Sequence, residues 1–284
     1  MRAFARVVAE RDALGGTRLT VLRSESPLLL RRTGPATVHL VGGGAGPLRG
    51  DDLRLDIEVG PDATLEIRSV AAQLALPGQA HLPPSRFLVS ATVAPGGSLR
   101  WLPEPLIAAA GCGHVTVTRV EVAAGGSLLW RDDLVCGRHN EPSGNAVQST
   151  TVRYAGRTVH RHDLSVGPAA PGWSEAAVLG GGRALGTLVS TPAALPAAAG
   201  PGDFAVMPLA GPGSLATAVG ADIRTVRAAL DPLCEPAAPP GPSLPQATPD
   251  LSGKPRPQAT PDPPDQSGKP RPRPFGNTSA QPVG

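Results

Sequence analysis

"VAPGGSLRW" occupies residues 93–101, and the chain nearly repeats it as "VAAGGSLLW" at residues 122–130. A looser third copy reads "VGPDATLEI" at residues 59–67. Each copy has a strand end, a turn of small residues, then two large apolar residues spaced two positions apart. Because such positions face the same side of a strand, three pairs are predicted to point into one core: Leu65 with Ile67, Leu99 with Trp101, and Leu128 with Trp130. We interpret each copy as a tight hairpin corner in one layer of a stack.

Strand-like segments recur through residues 1–235 and indicate a mainly β fold. Turn residues separate alternating or β-branched runs at residues 18–23, 36–41, 52–59, 63–70, 86–93 and 115–122, and a hairpin is predicted around Gly156. Helical spacing is present at residues 214–233 and, more weakly, in "EAAVLGGGRAL" at residues 175–185. The sequence therefore predicts a layered stack of short strands and hairpins, with a few helices near the C-terminal end.

The segment from residue 236 to residue 284 differs in composition from the rest of the chain. It repeats "PQATPD" and "SGKPRP" and has almost no apolar side chains. Such a segment cannot bury enough surface to offset its ordering entropy. We predict one β domain at residues 1–235, followed by a disordered Pro-rich tail at residues 236–284.

Composition excludes several classes of protein. The net charge is +3 and the two lysines both lie in the tail, so the domain lacks the lysine of phosphate-loop NTPases and Schiff-base enzymes. A nearly neutral domain is not expected to bind nucleic acid. Charged residues interrupt the N-terminus and no long apolar run is present, which predicts a cytoplasmic protein without a membrane span. Three cysteines without CxxC spacing indicate neither disulfides nor a zinc site.

Polar residues in three loops are candidates for a functional site. The Gly-rich segment "VGGGAGPLRGDD" at residues 41–52 is expected to be a wide loop with positive φ angles. Glu104 lies between two prolines in "LPEP", which suits either a presented carboxylate or a plain strand exit. Arg138, His139 and Glu141 follow a strand, where they are either solvated or in contact with a partner.

His160 and His162 in "VHRHD" would share one face of a strand. That spacing can bind a metal ion, but no third ligand is evident. The sequence also lacks GxSxG, HExxH and any context typical of a catalytic cysteine. The two histidines are therefore weak metal candidates, and no catalytic residue is predicted.

An ordered set of motifs resembles the urease accessory protein family UreD, also called UreH. The set comprises "TRL" (17–19), "SPLLL" (26–30), "GGGAGPLRGD" (42–51), "ATLEIRS" (63–69), "GGSLRWLPEPLI" (96–107), "GGSLLWRDDLVCGR" (125–138) and "GTLVS" (186–190). The resemblance covers about residues 1–233. It implies an all-β protein without catalytic activity that acts in a heteromeric assembly.

The resemblance also implies partners and site residues. The expected partners are UreF, the GTPase UreG and the urease apoprotein, and the expected role is to assist nickel insertion into urease. The protein would hold no cofactor of its own, although nickel could pass through it. Asp51 matches the family's "GGxxxGD" motif, Glu104 its "WLPxP" motif and Arg138 its "GR" pair, with Glu141 as a shifted equivalent of a later Glu. These four are the candidates for partner binding or nickel passage.

Two other functions stay open from the sequence. A carbohydrate-active or other enzyme on a stacked β framework could use two carboxylates such as Asp51 and Glu104. Three Trp and one Tyr provide few rings for stacking on sugars. A repeat-built adhesive module would predict secretion, which the charged N-terminus does not favour.

Overall fold

The computed structural model describes residues 1–196 and 203–235, so the predicted Pro-rich tail lies outside the described residues. The predicted mainly β fold is confirmed. The elements are β1 (Arg2–Arg11), β2 (Thr17–Arg23), β3 (Leu28–Arg32), β4 (Thr37–Gly42), β5 (Asp52–Val59), β6 (Thr64–Ser69), β7 (Gln73–Ala75), β8 (Ser85–Val93), β9 (Ser98–Leu102), β10 (Leu106–Ala108), β11 (Gly113–Val122), β12 (Ser127–Cys136), β13 (Asn145–Tyr154), β14 (Arg157–Val166), β15 (Ala184–Thr191), β16 (Asp203–Pro208), β17 (Ser214–Gly220) and α1 (Ile223–Cys234).

These strands form two sheets that share one apolar core. Sheet A has the order β14-β13-β11-β8-β5-β1-β2, and sheet B has the order β16-β17-β15-β12-β9-β6-β4-β3, with β10 beside β12 and β7 beside β10. Strands in the middle of each sheet are parallel, as in β5, β8 and β11. Antiparallel pairs lie toward the edges, and the predicted hairpin around Gly156 is the pair β13 and β14.

The three repeated stretches are corners between the two sheets, which corrects the predicted hairpin. In each copy the first strand (β5, β8 or β11) lies in sheet A and the second (β6, β9 or β12) in sheet B. The copies stack in parallel register, so that Leu65, Leu99 and Leu128 are neighbours, as are Ile67, Trp101 and Trp130. All six side chains are buried. The prediction of one shared core is therefore confirmed.

The corners repeat in backbone conformation as well as in sequence. Asp62, Gly96 and Gly125 hold the same place in successive copies, with φ of 54°, 71° and 81°. Glycine adopts this left-handed region without steric cost. The Gly96 N–H donates to the Gly125 carbonyl at 3.1 Å, which joins two layers. A β-carbon on Gly96 would collide with the Asp62 carboxylate, so any other residue there would have to displace that side chain.

Helix α1 packs on the outer face of sheet B, where Val226 and Leu230 join a separate apolar cluster. The predicted helix at residues 214–233 is correct only in its second half. Residues 214–220 alternate in burial and pair with two strands as β17, and Asp222 caps the helix by accepting from the Thr225 N–H at 3.0 Å.

The weaker helix prediction at residues 175–185 is wrong. Those residues form turns that lead into β15. Gly180 and Gly181 have φ of 54° and 82°, a conformation incompatible with a right-handed helix. Within residues 1–196 and 203–235, no helix combines the length and apolar character needed to cross a membrane.

Candidate functional site

A cavity of about 350 Å³ lies between the two sheets, beside the ring of Trp101. We call it the inner cavity. Apolar residues such as Val41 and Val70 line part of it, together with the Gly-rich loop. The inward-facing positions of β11 and β13 change from Val120 and Val152 in the core to polar side chains at the cavity. These polar residues are Thr116, Thr118 and Gln148, and Asp132 of β12 joins them.

Asp132 is a carboxylate that lines the inner cavity and not the outer cleft. Its Oδ2 accepts hydrogen bonds from the Trp130 indole N–H at 2.9 Å and the Thr150 hydroxyl at 3.1 Å. Among the described residues, its Oδ1 has no hydrogen-bond partner. Burial raises the pKa of Asp132 to about 6, although the two donors act in the opposite direction. Hydrogen bonds therefore hold Oδ2 of Asp132 in place, while Oδ1 is available to a ligand in the cavity. With a pKa of about 6, the carboxyl group loses its proton as the pH rises past that value.

A buried hydrogen-bond chain determines how Thr116 faces this cavity. The Ser85 hydroxyl lies 3.1 Å from the Gly113 carbonyl and 2.9 Å from Nδ1 of His114, and Nε2 of His114 lies 3.0 Å from the Thr116 hydroxyl. Ser85 has one proton and the carbonyl can only accept it, so Nδ1 must be protonated. Nε2 then accepts from Thr116. Burial lowers the pKa of His114 to about 4, so Thr116 presents oxygen lone pairs, which suit a cation.

A second cavity of about 530 Å³ lies on the other face of sheet B, under α1. We call it the outer cleft. Four arginines and five acidic residues line it: Arg68, Arg100, Arg131 and Arg227, with Glu66, Glu104, Asp133, Asp231 and Glu235. Arg68 and Arg100 contact Glu66 at 2.6 and 2.9 Å. Together they lower the pKa of Glu66 against the opposing effect of burial. The outer cleft is thus densely charged and almost balanced.

A gap in sheet B brings the inner cavity and the outer cleft close together. β9 pairs with β12 as far as Trp101 and Trp130, and pairing resumes only where β10 begins, at Leu106 and Leu134. The chain between them, residues 102–105, leaves β12 unpaired on this side at residues 131–133. Pro103, Glu104 and Asp133 line both cavities. Carboxylates therefore follow one another from the inner cavity to the outer cleft.

Glu104, a predicted site residue, lies at this gap. β9 ends just before it, and its carboxylate forms an ion pair with Arg227 of α1. Asp51, a second predicted residue, is not among the residues lining either cavity. Its Oδ2 accepts from the Leu48 N–H at 2.9 Å and its Oδ1 lies 2.6 Å from the Met1 ammonium group. Asp51 therefore holds the Gly-rich loop closed.

Arg138 and Glu141, the other two candidates, form a two-point ion pair with both distances 2.9 Å. Glu141 also accepts from the backbone N–H of Arg138 at 2.9 Å and of Ala110 at 3.2 Å. The Arg138 side chain and N–H lower the pKa of Glu141 to about 2. The pair stabilises an exposed turn after β12, away from both cavities.

The weak metal candidates lie on β14, an edge strand of sheet A. The rings of His160 and His162 are 6.2 Å apart between centroids. Burial lowers the pKa of both imidazoles, to about 4 for His160. In the part of the chain that the structure describes, no group of three or more His, Cys, Asp or Glu side chains could hold a metal ion.

Sequence reasoning missed Asp132, and Asp133 with its partner Arg131. A signal was present, because "LLWRDDLVC" places three charges inside a strand that is otherwise apolar. Buried charges are rare unless they are paired or functional. Arg227, which pairs with Glu104, and Asp231, which pairs with Arg131, are a hundred residues or more distant from those partners in the chain, so only the fold brings them to the site.

Comparisons with known proteins agree with the motif pattern. The model of the UreD urease accessory protein family matches residues 1–251. The "Urease accessory protein UreD 3" of Streptomyces griseus is 43% identical over 243 residues, covering 81% of this chain and 95% of that protein. The "Urease accessory protein UreD" of Streptomyces avermitilis is 43% identical, with 81% and 95% covered. The protein of that name in Frankia alni is 40% identical, with 83% and 93% covered.

Proposed function

Because the chain belongs to the UreD family of urease accessory proteins, we propose that it is a non-catalytic assembly factor for urease. In this proposal it binds UreF, UreG and the urease apoprotein and assists nickel insertion. The supporting observation is the succession of carboxylates from the inner cavity to the outer cleft. Asp132, Glu104 and Asp133 lie where the two cavities approach each other across sheet B.

The chemistry of this site suits a nickel ion in transit. Carboxylate and hydroxyl oxygens bind nickel less tightly than a cage of thiolates and imidazoles would, so the ion can leave again. The Thr116 hydroxyl oxygen, whose proton is donated to His114, and Oδ1 of Asp132, which has no hydrogen-bond partner among the described residues, provide such ligands. Nickel is here the cargo of the protein rather than a resident cofactor.

The test is urease activation in cells that express the urease subunits and accessory proteins with or without this chain. We expect loss of urease activity and of urease-bound nickel without it. Asp132→Asn and Glu104→Gln are expected to lower nickel loading while UreF still co-purifies. Glu121→Gln, an exposed carboxylate paired with Arg153 at 3.4 Å, is the matched control. Full nickel loading in both cavity variants would refute the passage, and full activation without the chain would refute the assembly role.

The alternative of an enzyme that uses Asp51 and Glu104 receives less support. Glu104 lines both cavities, whereas Asp51 lines neither of them and holds a loop. The two carboxylates thus do not share a cleft that could hold a sugar. Arg138 and Glu141 stay candidates for partner contacts, since they are a preformed charged pair on an exposed turn.

A further inference from the structure

Helix α1 forms the wall of the outer cleft that faces the gap in sheet B. Arg227, Asp231 and Cys234 of α1 line the cleft opposite side chains of sheet B. An ion that moves between the gap and solvent through the outer cleft therefore passes beside α1. How α1 is held decides whether that passage is open.

The middle of α1 is tied to the gap by one ion pair. The guanidinium of Arg227 contacts Oε2 of Glu104, a residue 123 positions away in the chain. Both side chains are little more than a third exposed. The Arg227 guanidinium neutralises the Glu104 carboxylate, as a bound metal cation would. While this ion pair is formed, Glu104 is not free to bind a cation.

The C-terminal end of α1 is tied down in a similar way. Arg131 is buried and contacts Asp133 on its own strand at 2.8 Å and Asp231 of α1 at 2.6 Å. Arg100 donates to the backbone carbonyl of Cys234. These contacts join α1 to the strands that border the gap.

Two of the twelve residues of α1, Val226 and Leu230, are fully buried. Ile223, Ala229 and Leu233 are only partly buried against the same cluster on the outer face of sheet B. Short peripheral elements with few buried residues open locally more readily than the core does. A partly exposed ion pair such as Arg227 with Glu104 also adds little stability.

We propose that α1 is a movable cover over the gap in sheet B, and that Arg227 is a tethered cation that holds Glu104 until α1 lifts. Lifting α1 frees Glu104 for a divalent cation and widens the outer cleft. Arg227 is then a positioning residue, because it acts through Glu104 and touches no cargo. The inference deepens the proposed function, since it names how the proposed passage is regulated.

The first test measures how readily the half-buried Cys234 thiol reacts. The full-length protein is treated with a thiol reagent, and the modified cysteine is identified by mass spectrometry. Arg227→Gln is expected to speed the modification of Cys234 several-fold, whereas Cys112 and Cys136, both 1% exposed, stay unmodified. Arg224→Gln is the matched control, because Arg224 lies on the same helix and pairs only with Asp222 among the described residues. Equal rates in both variants and the parent would overturn the proposal.

The second test measures Ni²⁺ binding to the same proteins by equilibrium dialysis, in a Cys234→Ser background that removes the nearby thiol. Arg227→Gln is expected to bind Ni²⁺ several-fold more tightly than the parent, and adding Glu104→Gln is expected to abolish that gain. Arg227→Lys restores a tethered cation and should return both readouts toward the parent. A merely unfolded variant would not give a gain that Glu104→Gln removes. Unchanged Ni²⁺ binding in Arg227→Gln would count against the tethered cation.

These tests can fail separately from the proposed function. Both use the isolated protein, whereas urease activation requires its partners. If α1 opens as expected but Glu104→Gln leaves nickel loading of urease intact, the movable cover is supported and the nickel passage is refuted. If Arg227→Gln changes neither Cys234 modification nor Ni²⁺ binding while urease activation still requires the chain, the movable cover is refuted and the assembly role is supported.

Discussion

The indole rings of Trp101 and Trp130 stack with centroids 4.8 Å apart and planes inclined by 12°. They occupy the same place in two successive layers, because the corner stretches that carry them stack in register. Trp130 is also among the largest fully buried side chains.

We expect Trp130→Ala to lower the free energy of unfolding by about 3–5 kcal/mol, because it removes the stack and leaves a cavity in the core. Urea denaturation of the full-length chain measures this loss. Trp173→Ala is the control, since Trp173 is only partly buried against another cluster and should cost less. Equal losses would mean that the stack adds nothing to ordinary burial.

Asp132 should make stability depend on pH in a direction opposite to that of most carboxylates. Its pKa of about 6 in the folded protein exceeds its ordinary value of 3.8, so the folded state binds the extra proton between these pH values. Stability therefore falls as pH rises through that window and levels off above it. Asp132→Asn should remove a pH-dependent change of about 2–3 kcal/mol, measured by urea denaturation from pH 4.5 to pH 7.5. Parallel pH profiles for the two proteins would contradict the assignment.

His160 should act with the opposite sign. Burial, with a smaller contribution from His162, lowers the pKa of His160 from 6.5 to about 4, so the unfolded state binds the extra proton in that range. Stability is complete above about pH 6.5 and decreases as pH falls toward about 4. NMR titration should show a His160 imidazole that stays neutral at pH 5. His160→Gln should reduce the acid-induced loss, and an unaltered loss would argue against this source.

Gly186 permits the close approach of α1 to sheet B. A β-carbon at Gly186 would lie 2.5 Å from Cγ1 of Val226 and 2.6 Å from Cδ1 of Leu230. Gly186→Ala should therefore push α1 outward, at a cost of about 1–3 kcal/mol for overpacking, and speed the modification of Cys234. Gly42→Ala is the control, since its nearest neighbouring atom would be 3.9 Å away. If Cys234 reacts no faster in Gly186→Ala, the helix does not move as a unit.

The strands and the shared core followed from local sequence, because burial of alternate residues repeats within each segment. The three copies predicted that Leu99, Trp101, Leu128 and Trp130 point into one core, which the structure confirms, and the register makes them neighbours there. The same pattern could not distinguish a hairpin from a corner between sheets. Both have two short strands and a small-residue turn, and only pairing with distant strands separates them.

The candidate site was less accessible from sequence. Glu104 was predicted as a site residue because two prolines flank it in the four-residue stretch "LPEP". The ion pair of Arg131 with Asp231 in the outer cleft joins β12 with α1, about a hundred residues later, and no local pattern encodes such a pairing. Residues 214–220 show the same limit, since an apolar spacing that fitted a helix became β17 once two partner strands were present.

The chain that crosses the gap in sheet B, residues 103–105, leaves none of its own backbone donors without an acceptor. An interrupted strand normally exposes N–H groups that must find other acceptors. Here Pro103 and Pro105 have no N–H to satisfy, and the one between them, from Glu104, donates to the Ser69 hydroxyl at 2.8 Å. The "PEP" tripeptide thus leaves no unsatisfied donor on its own side of the opening, while β12 stays unpaired opposite it at residues 131–133. Any other residue in place of either proline would add a backbone N–H at the gap, which could be satisfied by pairing with β12 and so by closing the opening.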